Sequence, residues 1–156
     1  MKRRARKKRK LRAIRLWSLP QADHAVPYLR SVVASLRDSW LDAQKERLRK
    51  DRLAKEKPDR SHLMAMEDAK NEYSKARDSV QDAVRELRRI DVFPLDPIHG
   101  TVLIPFQKED NLAWYVFDLF DEKGLAGWRY HQDPIEQRRP MGEIDKLSTQ
   151  TSGPVA

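Results

Sequence analysis

Residues 61–90 read SHLMAMEDAKNEYSKARDSVQDAVRELRRI, and within them Met66, Ala69, Tyr73, Ala76, Val80, Ala83, Leu87 and Ile90 recur at alternating three- and four-residue steps. That spacing keeps one apolar stripe turned toward a partner, so it predicts a helix from about Ser61 to Ile90 with a coiled-coil-like seam. Such a helix cannot bury its stripe alone, and the partner lies upstream. Leu29, Val33, Leu36, Trp40 and Ala43 follow the same steps, and beyond Gln44 the stripe thins to Leu48 and Leu53 among charges. Lys57-Pro58-Asp59 breaks the run, because Pro58 has no amide hydrogen and restricts the residue before it. Two long helices on either side of a short break meet only by folding back antiparallel. Small Ala69, Ala76 and Ala83 allow close approach, while Trp40 and Tyr73 fill wider layers. The stripe reads as core rather than as a cofactor slot.

At the start, Ser18 is an N-cap with Pro20 in the first turn. Pro27 ends or restarts that short turn and then opens the long first helix.

From Asp91 the period changes. Val92 to Leu95, Thr101 to Phe106, Trp114 to Phe120 and Leu125 to Tyr130 are rich in β-branched and aromatic residues. Turn chemistry separates them at Asp96-Pro97, Gly100, Asp110-Asn111 and Asp121 to Gly124. Three or four antiparallel strands follow. Pro105 cannot donate to a ladder, which places its strand at an edge or on a bulge. Trp114, Val116 and Leu119 make their strand apolar on both faces, so it is central and packs under the base of the hairpin. Asp118 within it needs a partner, either Arg129 or Arg138.

The expected fold is therefore α+β: a long antiparallel two-helix hairpin over about 19–90, then a small antiparallel sheet over about 91–141. Residues 16–141 form one domain, as a chain of 156 residues allows, with disordered ends at 1–15 and 142–156. The chain has no cysteine, which removes disulfides and thiolate metal sites and fits a reducing compartment. No apolar run approaches the roughly 20 residues of a membrane span. Leu11 to Leu19 is broken by Arg12, Arg15 and Ser18, which argues against a secretory signal. A soluble, cytoplasmic protein is expected.

Charge is distributed unevenly. Of the 32 basic residues, ten fall in residues 1–15, with no acid among them, leaving 22 bases against 24 acids in the rest of the chain. The ten are Lys2, Arg3, Arg4, Arg6, Lys7, Lys8, Arg9, Lys10, Arg12 and Arg15. Such an arm attracts phosphates by counterion release, without sequence preference and with steep salt dependence. It has no Phe, Tyr or Trp on which to stack a base. RNA, a ribosomal surface or another polyanion is the expected partner; a solubilising tail or an over-extended start are the plainer accounts. Lys45 to Arg60, at the far end of the hairpin, is also basic, and Arg47, Arg49, Lys50 and Arg52 are candidate secondary anion contacts. Arg138 and Arg139 are two more, unless they simply pair with Asp118 and Glu136.

Leu112 to Met141, with its strand, Trp128 and closing Arg139-Pro140, resembles the end of a bacterial family catalogued as domain of unknown function twenty-two hundred and three. The resemblance starts near Leu19 and covers nearly everything but the two tails. Ala25-Val26-Pro27, Ile90-Asp91-Val92, Asp96 to Gly100, Trp128 and Arg139-Pro140 fall in that family's order of opening helix, helix end, Asp and Gly turn, tryptophan strand and Arg-x-Pro close. Asp91 stands where the family has glycine. Trp128-Arg129-Tyr130-His131 stands where it has Trp-His-Glu, so no metal or acid–base role carries over. The resemblance implies a fold and no activity.

Chemistry is sparse otherwise. His24, His62, His99 and His131 form no HxH or HExxH pattern. Only a grouping of His99 and His131 with Asp96 or Asp118 across turns would make a metal site or an enzyme. Ser148, Thr151 and Ser152 have no base nearby, and no glycine-rich phosphate loop is present. The expectation is a non-catalytic binding protein with no cofactor and no metal. A protein–protein adaptor, or a hairpin that self-associates through an incompletely buried seam, is the alternative.

Overall fold

The computed structural model describes residues 13–144. The first helix, α1 (Leu19–Ala54), begins where Ser18 closes a capping box. The Ser18 backbone N–H donates to Gln21 Oε1 at 3.0 Å, and the Gln21 N–H donates to Ser18 Oγ at 3.3 Å. Pro27 does not open this helix, as its sequence position suggested; it lies inside one continuous 36-residue helix. A proline there removes one backbone hydrogen bond. Leu19 and Ala22 before it and Leu29, Val33 and Leu36 after it are buried in the same core, which holds both sides in line.

A short break at 55–59 leads to α2 (Arg60–Arg89), N-capped by Asp59, whose Oδ1 accepts the His62 N–H at 2.7 Å. Across the turn, His62 Nε2–H donates to the Leu53 carbonyl. The helices fold back antiparallel. Ala69, Ala83 and Leu87 of the predicted seam are buried, and Met66, Tyr73, Ala76, Val80 and Ile90 are half-buried. Tyr28 Oη donates to Glu86 at 2.7 Å across the pair, an acceptor that holds the phenol proton on and pushes its pKa up to about 12. At the end of α2 the Val92 N–H bonds the Leu87 carbonyl and the Asp91 N–H bonds that of Arg88, a left-handed stop with Asp91 at φ 57°. Glycine is the usual residue there. Asp91 puts a carboxylate in its place, and that carboxylate accepts the Arg15 backbone N–H at 3.1 Å.

The sheet is an antiparallel meander of β1 (Phe93–Asp96), β2 (Thr101–Lys108), β3 (Asn111–Asp118) and β4 (Leu125–Tyr130) in sequence order. Glu109 and Asp110, both at positive φ, make the two-residue turn that matches strand twist between β2 and β3. The expected strand ends shift: Leu119 and Phe120 lie past β3, in the following turn. Val102, Ile104 and Phe106 join Ala113, Tyr115, Phe117, Leu125 and Trp128 against Leu29, Val33, Leu36 and Leu87 to form the main core. Leu103, Trp114 and Val116 cluster on the opposite face with Phe93, Leu95 and Leu112. A short 3-10 turn, Met141–Glu143, carries the chain past the expected domain end at 141 to Ile144, which is buried in the main core. Residues 145–156 lie outside the described residues.

Pro105 corrects a second expectation, since β2 is neither an edge strand nor bulged at that point. β1 is only four residues long and pairs no further than Leu103. Among the described residues no β-strand flanks β2 on that side at Pro105, and its carbonyl accepts the Trp17 N–H at 2.8 Å. The missing amide costs no ladder bond.

Arg30 of α1 ties the β3–β4 turn to the hairpin, donating to the carbonyls of Leu119 (3.2 Å), Asp121 (2.8 Å) and Glu122 (2.7 Å). Among the described residues no helix is long and apolar enough to cross a membrane.

Candidate functional site

The basic arm joins the body at a fixed point. The Arg15 backbone is held by Asp91, the Trp17 N–H by Pro105, and Trp17 Nε1–H donates to the Ile90 carbonyl at 3.0 Å. These bonds reach the end of α2 and strand β2, so the root of the arm sits where hairpin and sheet meet. Arg15 is exposed at that root. The other nine arm cations, Lys2, Arg3, Arg4, Arg6, Lys7, Lys8, Arg9, Lys10 and Arg12, lie outside the described residues. Beside the root opens a largely apolar cleft of about 570 Å³, walled by Trp17, Pro20, Ala25 and Ile90, with Arg15, Gln21 and His24 as its polar members. Trp17 was not among the residues expected at a site. Its signal was a large aromatic two residues after the last arm cation, just before a helix cap.

The hairpin tip stands at the other end of α1, about 54 Å away at 1.5 Å per residue over 36 residues. Its four candidate cations divide. Arg49 pairs with Asp68 at 3.0 Å and Glu46 at 3.4 Å, and Lys50 Nζ lies 4.8 Å from the centre of the Tyr73 ring. Arg47 and Arg52 are exposed and form no ion pair among the described residues. Leu48, Leu63 and Met64, in the same stretch, are 69%, 62% and 71% exposed.

Arg138 and Arg139 are both engaged. Arg138 donates to Asp118 at 2.9 Å, which answers which arginine partners that strand carboxylate. Arg139 does not pair with Glu136. It grips Asp133 with two bonds, 2.7 and 2.9 Å, and lies over the Trp128 and Tyr130 rings. The reason is local topology: Arg139 bridges back to Trp128, while the tight turn after Tyr130 returns Asp133 to meet it. Arg139 stabilises the ionised Asp133 and holds its carboxyl down at about 2. Arg129, the other arginine expected beside Asp118, is instead buried in β4, with Nη1 donating to the Asp133 carbonyl at 2.7 Å.

The histidine constellation does not assemble. His99 Nδ1 sits 2.6 Å from Asp96, whose carboxyl is held below its usual range by that bond. His131 Nδ1 accepts the Trp114 indole N–H at 3.2 Å, so in the neutral ring the proton is on Nε2. Its backbone pairs with Leu112, at the opposite end of β3 from Asp118, about 20 Å along the strand. Among the described residues no group of three or more His, Asp or Glu side chains could hold a metal ion.

Residues 15–141 match the family described as Uncharacterized conserved protein (DUF2203), a span that takes in the hairpin and the sheet together. No curated protein and no solved structure matches the chain.

Proposed function

The chain belongs to the DUF2203 family of uncharacterized conserved proteins, and from that premise we propose that it is a non-catalytic, cytoplasmic binding protein that engages RNA, such as a ribosomal surface, or a similar polyanion through its basic arm. One observation carries this reading: ten of the 32 basic residues fall in residues 1–15 with no acid, and the rest of the chain is close to neutral. Like charges gathered at that density attract phosphates and release their counterions. The three bonds at Arg15 and Trp17 support it, because an arm with a fixed root delivers its charge to one place on the body. Arg47 and Arg52 add a secondary contact only for an extended polyanion, since the tip and the root are about 54 Å apart.

The test is filter retention of total RNA or ribosomes at low and high salt by the full chain and by a chain beginning at residue 13, which keeps the root bonds. Retention that falls with salt and disappears with the arm is expected. Equal retention by both chains refutes the reading. A second reading, an adaptor or self-associating hairpin, draws on exposed Leu48, Leu63 and Met64 at the tip. Light scattering that shows a clean monomer at high concentration counts against self-association.

A further inference from the structure

Residues 1–15 carry phosphate affinity but no aromatic ring, so the arm alone has nothing on which a base can stack. Trp17 supplies a ring immediately beyond it. Its indole N–H is fixed to the Ile90 carbonyl at 3.0 Å and its backbone to Pro105 at 2.8 Å, so the ring is pre-positioned. Trp17 packs against the core and also walls the 570 Å³ cleft, a volume within the range of small-molecule sites.

In the cleft, Gln21 Oε1 accepts the Ser18 N–H, and its amide NH₂ makes no hydrogen bond among the described residues. The side chains of His24 and Arg15 make no hydrogen bond among the described residues. An aromatic wall, donors suited to a base edge and a guanidinium for the adjoining phosphate are the means by which proteins hold unpaired bases. The run of cations enters the described structure at Arg15, on the rim of the cleft, so a strand tracked by the arm arrives there.

We infer that this cleft takes one unpaired nucleobase of a single-stranded nucleic acid whose phosphates lie on the arm; the inference rests on the polyanion reading above. Fluorescence anisotropy on the full chain tests it, with a labelled oligouridylate and an abasic ribose-phosphate strand of equal length as probes at one salt concentration. The base-bearing strand should bind about tenfold tighter, the effect of one base–aromatic stack. Ala25→Phe, which fills the cleft, and the exposed-site substitution His24→Ala should each reduce that preference while leaving abasic binding unchanged. Should Ala25→Phe fail to fold, His24→Ala alone decides. Equal affinity of the full chain for the two strands overturns the cleft assignment and leaves the arm reading standing, as does a preference that survives the substitutions. Failure to bind either strand overturns both.

Discussion

Replacing Gly124 with alanine tests how the sheet is seated against the hairpin. Gly124 has φ +81°, a left-handed conformation that costs a residue with a side chain roughly 1–2 kcal/mol. The added Cβ would lie 2.6 Å from Val26 Cγ1 and 3.2 Å from Phe117 Cε2. Ordinary carbon contacts are about 3.5–4.0 Å, so the closest overlap is near 1 Å. Neither side can retreat easily. Phe117 is fully buried, the Gly124 carbonyl is bonded to the Asp118 N–H, and Arg30 holds the carbonyls of Asp121 and Glu122. Overpacking of this kind costs about 1–3 kcal/mol, which brings the expected loss to about 2–5 kcal/mol. In urea denaturation that lowers the midpoint by roughly 1–2 M for a domain of this size. Gly142→Ala is the control, because nothing among the described residues lies within 4 Å of its Cβ position; a change inside about 0.5 kcal/mol is expected. A Gly124→Ala loss below about 1 kcal/mol, or one equalled by the control, refutes the reasoning.

Leu87→Ala deletes a fully buried side chain shared by hairpin and sheet and should cost about 2–5 kcal/mol in the same assay. Asp59→Ala removes the cap of α2 and should cost about 1 kcal/mol, seen as a modest fall in thermal midpoint with no change in helical circular dichroism. The Asp133 carboxyl is depressed to about 2 in the folded protein, so its contribution is complete above its unfolded value of 3.8 and is lost as pH falls through that interval toward 2. Asp133→Asn should therefore flatten acid unfolding between those two pH values; an unchanged acid limb would show that the Arg139 clasp does not hold in solution.

Much of the scaffold was legible because it is written as periodicity. The α2 seam and the four β-rich runs report local burial directly: Ala69, Ala83 and Leu87 of the seam are buried, and β3 is buried on both faces as its apolar run implies. Proline misled twice, for opposite reasons. At Pro27, tertiary burial on both sides outweighs the lost hydrogen bond, and no local rule contains that burial. At Pro105, the rule about missing donors holds, but the vacancy beside β2 comes from the shortness of β1, and Trp17, far away in sequence, bonds the carbonyl left there. The pairing of Arg139 with Asp133 depended on a turn and a bridge, and the separation of His131 from Asp118 depended on strand register. The cleft at Trp17 unites residues from 15 to 25 with Ile90, a junction that charge and period along the chain do not display.

The salt dependence of binding to single-stranded RNA tests the role of the arm most directly. The logarithm of the association constant is measured against the logarithm of salt concentration for the full chain and for a chain with Lys2, Arg3, Arg4, Arg6, Lys7, Lys8, Arg9 and Lys10 replaced by serine. Each phosphate contact contributes about −0.7 to that slope, so eight engaged cations predict a full-chain slope steeper by about 5–6. Coincident slopes for the two chains would contradict the assignment of polyanion binding to the arm.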